Sequence, residues 1–139
     1  MGLARGLQTV TVATGWESAD GSRVDLDLAA YLLAPDHTVV ERVYFAKLSS
    51  DAGNGAVVAS GDNVSGDGDG DDESISVDLH ALALDGSTHS VVFVLTSFSG
   101  HAFADIDEAY VRLLAGAIND DEAADDPEEL ARMTLRGHA

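Results

Sequence analysis

Residues 61–79 read GDNVSGDGDGDDESISVDL, and two patterns in this stretch decide the fold. The first part alternates glycine with acidic residues, which is typical of a tight loop because both residue types favour turns. The second part, from Ser74 to Leu79, alternates polar and apolar side chains, which predicts a β-strand with one buried face. An acidic loop that leads into a half-buried strand indicates a β-sheet protein.

Segments with strand patterns recur through most of the chain. Residues 90–96 form a nearly continuous apolar run, as expected of a central strand, and turn signals such as Asp20-Gly21 separate the segments. A helical turn is expected around residues 105–108, ahead of the last strand. We therefore predict an all-β fold, an antiparallel β-sandwich with acidic loops and little helix. The predicted strands lie at residues 10–16, 25–33, 39–45, 56–59, 74–79, 90–96 and 110–114.

Composition limits the possible partners. The chain has 139 residues, of which 45% are hydrophobic, enough for the core of one domain. Its 25 acidic residues against 7 lysines and arginines give a net charge of −18, which repels phosphate and so argues against nucleic acid or anionic lipid as a partner. The absence of cysteine leaves only oxygen or imidazole ligands for a metal. We expect a cytoplasmic protein without direct membrane insertion, since no leader and no run of roughly 18 apolar residues is present.

More than half of the acidic residues lie in two clusters, at residues 62–73 and 120–129. The second cluster is mixed with Ala123, Ala124 and Leu130, which predicts a solvated linker that runs into a helix. We accordingly divide the chain into a sandwich domain at residues 1–117 and an acidic linker with a C-terminal tail at residues 118–139. The second part is alternatively the truncated remainder of the same domain.

The glycine-acid loop at residues 61–73 has the composition of a calcium site. Closely spaced carboxylates repel one another unless a cation neutralises them, and alternate glycines let the backbone turn its oxygens inward. Ca²⁺ accepts about 6 to 8 oxygen ligands in flexible geometry, whereas Mg²⁺ requires a tighter octahedron. Asp25 and Asp27 add a second acidic pair, because residues two apart on a strand share one face. Leu26 and Leu28 then point toward the core.

Other interpretations of this loop fit less well. A solvated turn would explain the presence of aspartate and glycine but not their density. An EF-hand requires glycine where Asp72 stands and a helix where strand alternation follows. A calcium β-roll needs repeated copies of its motif, and only one copy is present.

Several of these segments together resemble one known family, the TerD-type tellurium-resistance and bacterial stress proteins. The resemblance rests on residues 61–73 and 75–79, on Gly15-Trp16 with residues 24–28, and on residues 97–103 and 109–113. It implies a cytoplasmic β-sandwich that binds about two Ca²⁺ ions through acidic loops. Carried over to this sequence, the implied metal ligands are Asp25, Asp27, Asp62, Asn63, Asp69, Asp71, Asp72 and Glu73.

The resemblance also implies more chain at both ends. Family members begin with an additional strand segment before the part similar to residues 6–16, and they continue with further strands after the part similar to residues 129–132. This chain therefore corresponds to a shortened member or to a fragment. An exposed sheet edge or an incompletely filled core is expected as a result.

No catalytic motif is present in the sequence. The five histidines are scattered, and the nucleophile elbow, the phosphate-binding lysine loop and the dinucleotide fingerprint are all absent. We predict a non-enzymatic calcium-binding stress protein, whose partners are calcium ions and proteins of a stress-response or membrane-associated complex. Two alternatives stay open: an extracellular calcium-dependent adhesion or carbohydrate-binding sandwich, and a divalent-metal-dependent hydrolase. A halophilic surface would also explain the acidity without any special site.

Overall fold

The computed structural model describes residues 8–18, 26–60, 73–97, 106–116 and 128–135. These segments form a five-stranded sheet of order β4-β5-β1-β7-β8 and a three-stranded sheet of order β3-β2-β6, in which all neighbouring strands are antiparallel. The elements are β1 (Thr9–Ser18), β2 (Leu26–Leu33), β3 (Val39–Val43), a 3-10 helix (Ala52–Asn54), β4 (Val57–Ala59), β5 (Glu73–Asp78), α1 (Leu79–Asp85), β6 (Ser90–Ser97), β7 (Ile106–Leu114) and β8 (Glu129–Leu135).

The first strand is the centre of the larger sheet. β1 pairs with β5 on one side and with β7 on the other, so both of its ladders join residues that are far apart in sequence. Thr11 is fully buried, and its hydroxyl bonds to the Ser76 hydroxyl at 3.0 Å and donates to the Gly116 carbonyl at 2.7 Å. These bonds satisfy a polar group that would otherwise be costly to bury.

The hydrophobic core lies between the two sheets. Alternate residues of β2 and β5 face each other there, because a strand presents every second side chain to one side. A second, smaller cluster forms where Trp16, Leu26 and Ala109 meet, with Leu95 packed against them. The main cluster consists of Val12, Leu28, Ala30, Leu32, Val43, Ala52, Ala56, Val57, Ile75, Val77 and Leu82.

The all-β prediction is confirmed, but three local expectations were wrong. Leu79 begins α1 instead of ending a strand, because the side chain of Asp78 accepts a hydrogen bond from the amide of Ala81 at 3.0 Å and so caps the helix. Gly86 ends the helix with a positive φ of 78°.

The other two corrections concern the last strands of the larger sheet. Residues 106–108 belong to β7 and not to a helical turn, because β1 extends to Ser18 and offers backbone partners as far as Ile106. Asp105, where that turn was expected to start, lies outside the described residues. Residues 129–135 form β8 instead of the expected helix, since they pair with β7 from Ala109 to Leu114. Tertiary pairing thus decides the structure of a segment rich in helix-forming residues.

Candidate functional site

Asp27 lies on the middle strand of the three-stranded sheet, on the face opposite to Leu26 and Leu28. The two leucines pack into the core clusters, whereas Asp27 lines a groove on the outer face of the sheet. Asp27 is nevertheless only 4% exposed. The alternation that the sequence predicts for residues 26–28 is therefore present, and it places a buried carboxylate at the start of β2.

Glu73 approaches the same point from the other sheet. It is 5% exposed and shares the inward face of β5 with Ile75 and Val77. Its Oε1 accepts a hydrogen bond from the backbone amide of Leu28 at 3.4 Å. The carboxylate of Glu73 thus lies at the peptide bond that joins Asp27 to Leu28.

Strand pairing explains why this amide is available to a side chain. The Asp27 carbonyl of the same peptide accepts a hydrogen bond from the Thr96 hydroxyl of β6 at 3.4 Å, so the Leu28 amide points away from β6. On that side β3 pairs with β2 only from Ala30 onward. Glu73 therefore lies beyond the end of the β2–β3 ladder, since β3 ends at Val43 opposite Ala30.

Asp27 and Glu73 are both withdrawn from water, and buried carboxylates are costly unless charge or hydrogen bonds compensate for the lost hydration. Carboxylate oxygens are the ligands that Ca²⁺ and Mg²⁺ prefer, and two side chains supply at most four of the 6 to 8 oxygens that Ca²⁺ takes, about half. Asp27 and Glu73 fit a hard cation and do not fit a site built for a soft metal.

The remaining predicted ligands lie outside the described residues. In the described part of the chain, no three His, Asp or Glu side chains cluster in a way that could hold a metal. The structure thus places Glu73 at the peptide that follows Asp27, and the site as a whole stays a prediction. The predicted ligands that the structure does not describe are Asp25, Asp62, Asn63, Asp69, Asp71 and Asp72.

The groove beside Asp27 has a volume of about 520 Å³ and an aromatic wall. The Arg42 guanidinium lies 3.7 Å from the ring centroid of Tyr44 and 5.9 Å from that of Tyr31, within cation–π range. Hydrogen bonding to Tyr31 and Tyr44 raises the pKa of Arg42 above its ordinary value. The groove therefore combines a buried carboxylate, aromatic rings and a fixed cation.

The sequence did not predict this groove. Aromatic residues in strands ordinarily pack in the core, and Trp16 does so with 4% exposure. Phe45 is instead 44% exposed, and its ring meets that of Tyr44 edge-on at 5.2 Å. The strand β3 ends at Val43, so alternation gives no information about the residues that follow.

A second acidic site lies near the turn after β3. Glu41 accepts hydrogen bonds from the amides of Asp51 and Ala52 at 2.6 Å and 3.1 Å, and its Oε2 lies 2.8 Å from Lys47 Nζ. Burial alone would raise the pKa of Glu41, but the bonds from Lys47 and from the two amides lower it below its ordinary value. This site is structural, because its donors come from the same short segment.

The described residues contain no helix long and apolar enough to cross a bilayer.

These features define a class of protein: two antiparallel sheets with buried carboxylates at Asp27 and Glu73, the second of which ends the acid-rich stretch of sequence between β4 and β5. The model of the TerD domain family matches residues 2–134, nearly the whole chain. The chain therefore belongs to the TerD domain family, which confirms the resemblance found in the sequence.

Named relatives agree with this assignment. The chain is 35% identical over 141 residues to tellurium resistance protein TerD of an Alcaligenes species, a match that spans 95% of this chain and 67% of the relative. General stress protein 16U of Bacillus subtilis (strain 168) is 33% identical over 138 residues, which is 94% of this chain and 66% of the relative. The chain thus spans about two thirds of the length of these relatives.

A solved structure supports the same fold. It is described as a homologue of telluride resistance protein (TerD) from Streptomyces coelicolor A3(2), and it superposes with a TM-score of 0.70 at 26% identity. The match covers 92% of this chain and 72% of that one.

Proposed function

We propose that this chain is a non-enzymatic calcium-binding protein of the TerD type, in which a bound ion neutralises acidic side chains where the two sheets meet. The observation that carries the proposal is the position of Glu73. It ends the acid-rich segment in sequence, it is 5% exposed, and it hydrogen-bonds to the backbone next to the equally buried Asp27.

The chemistry of the segment supports calcium over other ions. The acids at residues 62–72 precede Glu73 directly, so a short connection can bring several carboxylates to the junction. With Asp27 and Glu73 as two protein ligands, this connection, Asp25 and water would supply the remaining oxygens. Two Ca²⁺ ions would bring the net charge from −18 to −14, so the site accounts for only part of the acidity.

Ion binding would couple to folding. A ligand that binds the native state alone adds RT ln(1 + [L]/Kd) to stability, about 2.7 kcal/mol at a hundredfold excess over Kd. Calcium would therefore link the two sheets through Asp27 and Glu73 in addition to the hydrophobic core.

Terbium luminescence tests the proposal directly. Tb³⁺ replaces Ca²⁺ in oxygen sites and emits when a nearby tryptophan transfers energy to it. Trp16 packs against Leu26, the neighbour of Asp27, and it is the only tryptophan of the chain. We expect Tb³⁺ emission under Trp excitation, displaced by Ca²⁺ and much less by Mg²⁺.

Matched variants make the result specific. Asp27→Asn removes one carboxylate charge from the junction and should reduce both the emission and the calcium-dependent rise in Tm. Asp36→Asn removes an exposed charge from the turn between β2 and β3, where Asp36 accepts hydrogen bonds from the amide and hydroxyl of Thr38, and should change neither. Equal responses of the two variants, or a Tm that is the same in calcium and in chelator, would refute the calcium site.

The relatives' names place the family in tellurium resistance and general stress. We propose a role of this kind for the present chain, with partner proteins that respond to the ion-bound form. The cytoplasmic location predicted from the sequence stays a prediction, and cell fractionation tests it.

A further inference from the structure

Arg42 differs from the other lysine and arginine side chains of the described segments, because no carboxylate of those segments balances its charge. The other three each form an ion pair with a glutamate, at 2.8 to 3.5 Å. In the part of the chain that the structure describes, Arg42 forms no ion pair, although the chain as a whole has 25 acidic residues against 7 lysines and arginines. Such a cation is available to an anion from outside the chain.

Arg132 shows what Arg42 lacks. The guanidinium of Arg132 lies 4.6 Å from the ring centroid of Tyr110, and Glu129 accepts hydrogen bonds from its Nε at 3.0 Å and from its Nη2 at 2.8 Å. The guanidinium of Arg42 lies over the ring of Tyr44 at 3.7 Å. A guanidinium has several N–H donors, so contact with a ring leaves donors for an acceptor. Arg42 thus has the aromatic support of Arg132 without its carboxylate.

The groove beside Arg42 accepts an apolar body. Ala29 of the middle strand lies at its floor, with Val94 of β6 on one side and Tyr44 on the other. Its volume of about 520 Å³ is in the range of small-molecule sites, about 300 to 1,000 Å³. Phe45 also lines the groove, and its side chain is 44% exposed. A flat ring placed there would cover exposed aromatic surface.

The charges of the groove favour a ligand with a single negative charge. Among the described residues that line the groove, Arg42 is the only lysine or arginine, so it balances one carboxylate. Asp27 lines the same groove, and the chain carries a net charge of −18. Further negative charge on a ligand would be repelled, which argues against nucleotides and other polyanions.

We propose that this groove binds a small aromatic carboxylate, whose carboxylate pairs with Arg42 and whose ring lies over Ala29 between Val94 and Tyr44. The guanidinium donates a pair of parallel hydrogen bonds, the strong geometry between arginine and carboxylate. The ring of the ligand packs against Phe45 in an offset or edge-on arrangement. The proposal does not rest on the calcium site, because Arg42 is not one of the predicted metal ligands.

Titration with benzoate, followed by NMR, tests the proposal. Benzamide has the same ring without the charge, and acetate has the charge without the ring. We expect benzoate to bind with a Kd at least about tenfold below that of either analogue, and to shift the amide resonances of Ala29, Phe45 and Val94. The titrations are made in calcium and in chelator, and the preference for benzoate is expected in both.

The two arginines that lie over tyrosine rings supply a matched pair of variants. Both side chains are exposed, so glutamine at either position is compatible with folding. Arg42→Gln is expected to raise the Kd of benzoate about tenfold. Arg132→Gln should change the Kd by less than about twofold, because Glu129 already binds that guanidinium. Arg42→Lys keeps the charge without the planar fork, and its Kd should lie between those of the wild type and Arg42→Gln.

A second pair of variants tests the aromatic wall. Phe45 and Leu48 are 44% and 45% exposed, and Phe45 lines the groove whereas Leu48 does not. Phe45→Ala is expected to raise the Kd of benzoate about fivefold and to leave the weak binding of acetate unchanged. Leu48→Ala should change neither. Circular dichroism and Tm check that the variants fold, and this pair decides the test if Arg42→Gln does not.

The proposal is overturned if benzoate binds no more tightly than benzamide or acetate, or if it leaves the resonances of Ala29, Phe45 and Val94 unchanged. It is also overturned if Arg42→Gln and Arg132→Gln weaken binding equally. A dimer in sedimentation that Arg42→Gln alone abolishes would overturn it too, since the occupant of the groove would then be a second copy of this chain.

Discussion

Glu41 and Glu73 are both glutamates withdrawn from solvent, but their partners lie at very different distances along the chain. Glu41 binds Asp51 and Ala52, 10 and 11 residues away, and Lys47 balances its charge. Glu73 binds the amide of Leu28, 45 residues away and on the other sheet. The hydrogen bonds of Glu41, which we call the local site, can form once the segment that follows β3 has folded. The hydrogen bond of Glu73, which we call the long-range site, forms only when both sheets are assembled.

The largest effect is expected when the long-range site is broken. Glu73→Gln removes the charge that we propose for calcium binding, so the variant should lose the ion's contribution, about 3 kcal/mol at saturating Ca²⁺. Urea unfolding in calcium and in chelator measures this, since the stability of the wild type should differ between the two conditions and that of Glu73→Gln should not. Glu41→Gln serves as the control and should keep the full calcium response. A Glu73→Gln protein that responds to calcium like the wild type would contradict our distinction between the two sites.

Breaking the local site should have a smaller and ion-independent effect. Glu41→Gln weakens charge-assisted hydrogen bonds from two amides and one ammonium, which should cost about 1–3 kcal/mol of unfolding free energy. Hydrogen bonding holds the folded pKa of Glu41 below its ordinary value, so the stabilisation is complete above the unfolded pKa, about 4.3, and is lost as the pH falls through the folded value. The Tm difference between wild type and variant should therefore shrink on acidification. A Tm difference between wild type and Glu41→Gln that stays constant down to pH 2 would contradict a lowered pKa of Glu41.

Two glycines next to the local site, Gly53 and Gly55, differ in the space around them. Gly53 has a φ of 62°, and a Cβ there would lie 2.6 Å from Ala56 Cβ, whereas a Cβ at Gly55, with a φ of 89°, would meet nothing within 4 Å. Both alanine variants should lose about 1–2 kcal/mol through the left-handed backbone, and Gly53→Ala should lose more because of the clash. Thermal unfolding compares them.

Gly53 follows Ala52, whose amide binds Glu41, so the substitution should also disturb that bond. A double-mutant cycle then predicts that Glu41→Gln costs less in the Gly53→Ala background than in the wild type. Simple additivity of the two changes would show that Gly53 does not position the donors.

The smallest effect is expected at an exposed acidic residue. Glu129 contacts Arg132 at 2.8 Å and Arg112 at 3.5 Å, and the bond from Arg132, aided by Arg112, lowers its pKa. Water and salt screen such exposed pairs. Glu129→Gln should lower Tm less than any variant above, and the difference should disappear at high salt. A salt-independent loss as large as that of Glu41→Gln would contradict the contrast between exposed and buried carboxylates.

The sequence predicted the strands well where one face is buried. Ile75 and Val77 alternate with serines, and Leu26 and Leu28 flank Asp27, so a period of two is visible in the sequence and is present in the structure. The family could also be predicted, because its glycine-acid motif is specific and adjoins such a strand.

Other features, such as β8 and the hydrogen bond of Glu73, depend on contacts between segments that are distant in sequence. The seven residues of α1 carry too few turns to show a helical period, although Asp78 and Gly86 are cap signals that could have revealed the helix. β8 is rich in helix formers and becomes a strand only through β7. The bond from Leu28 to Glu73 joins two sheets, and no sequence pattern specifies such a contact between distant segments.

The central position of β1 has a consequence for synthesis on the ribosome. Both neighbours of β1, β5 and β7, emerge more than 50 residues after it, so β1 waits without its ladders while the intervening chain is translated. Long-range pairing of this kind slows folding, because the entropy of closing the loops is lost before contacts form. The nascent chain therefore exposes Val10 and Val12 for longest, and a chaperone that holds the nascent chain would act on this N-terminal segment.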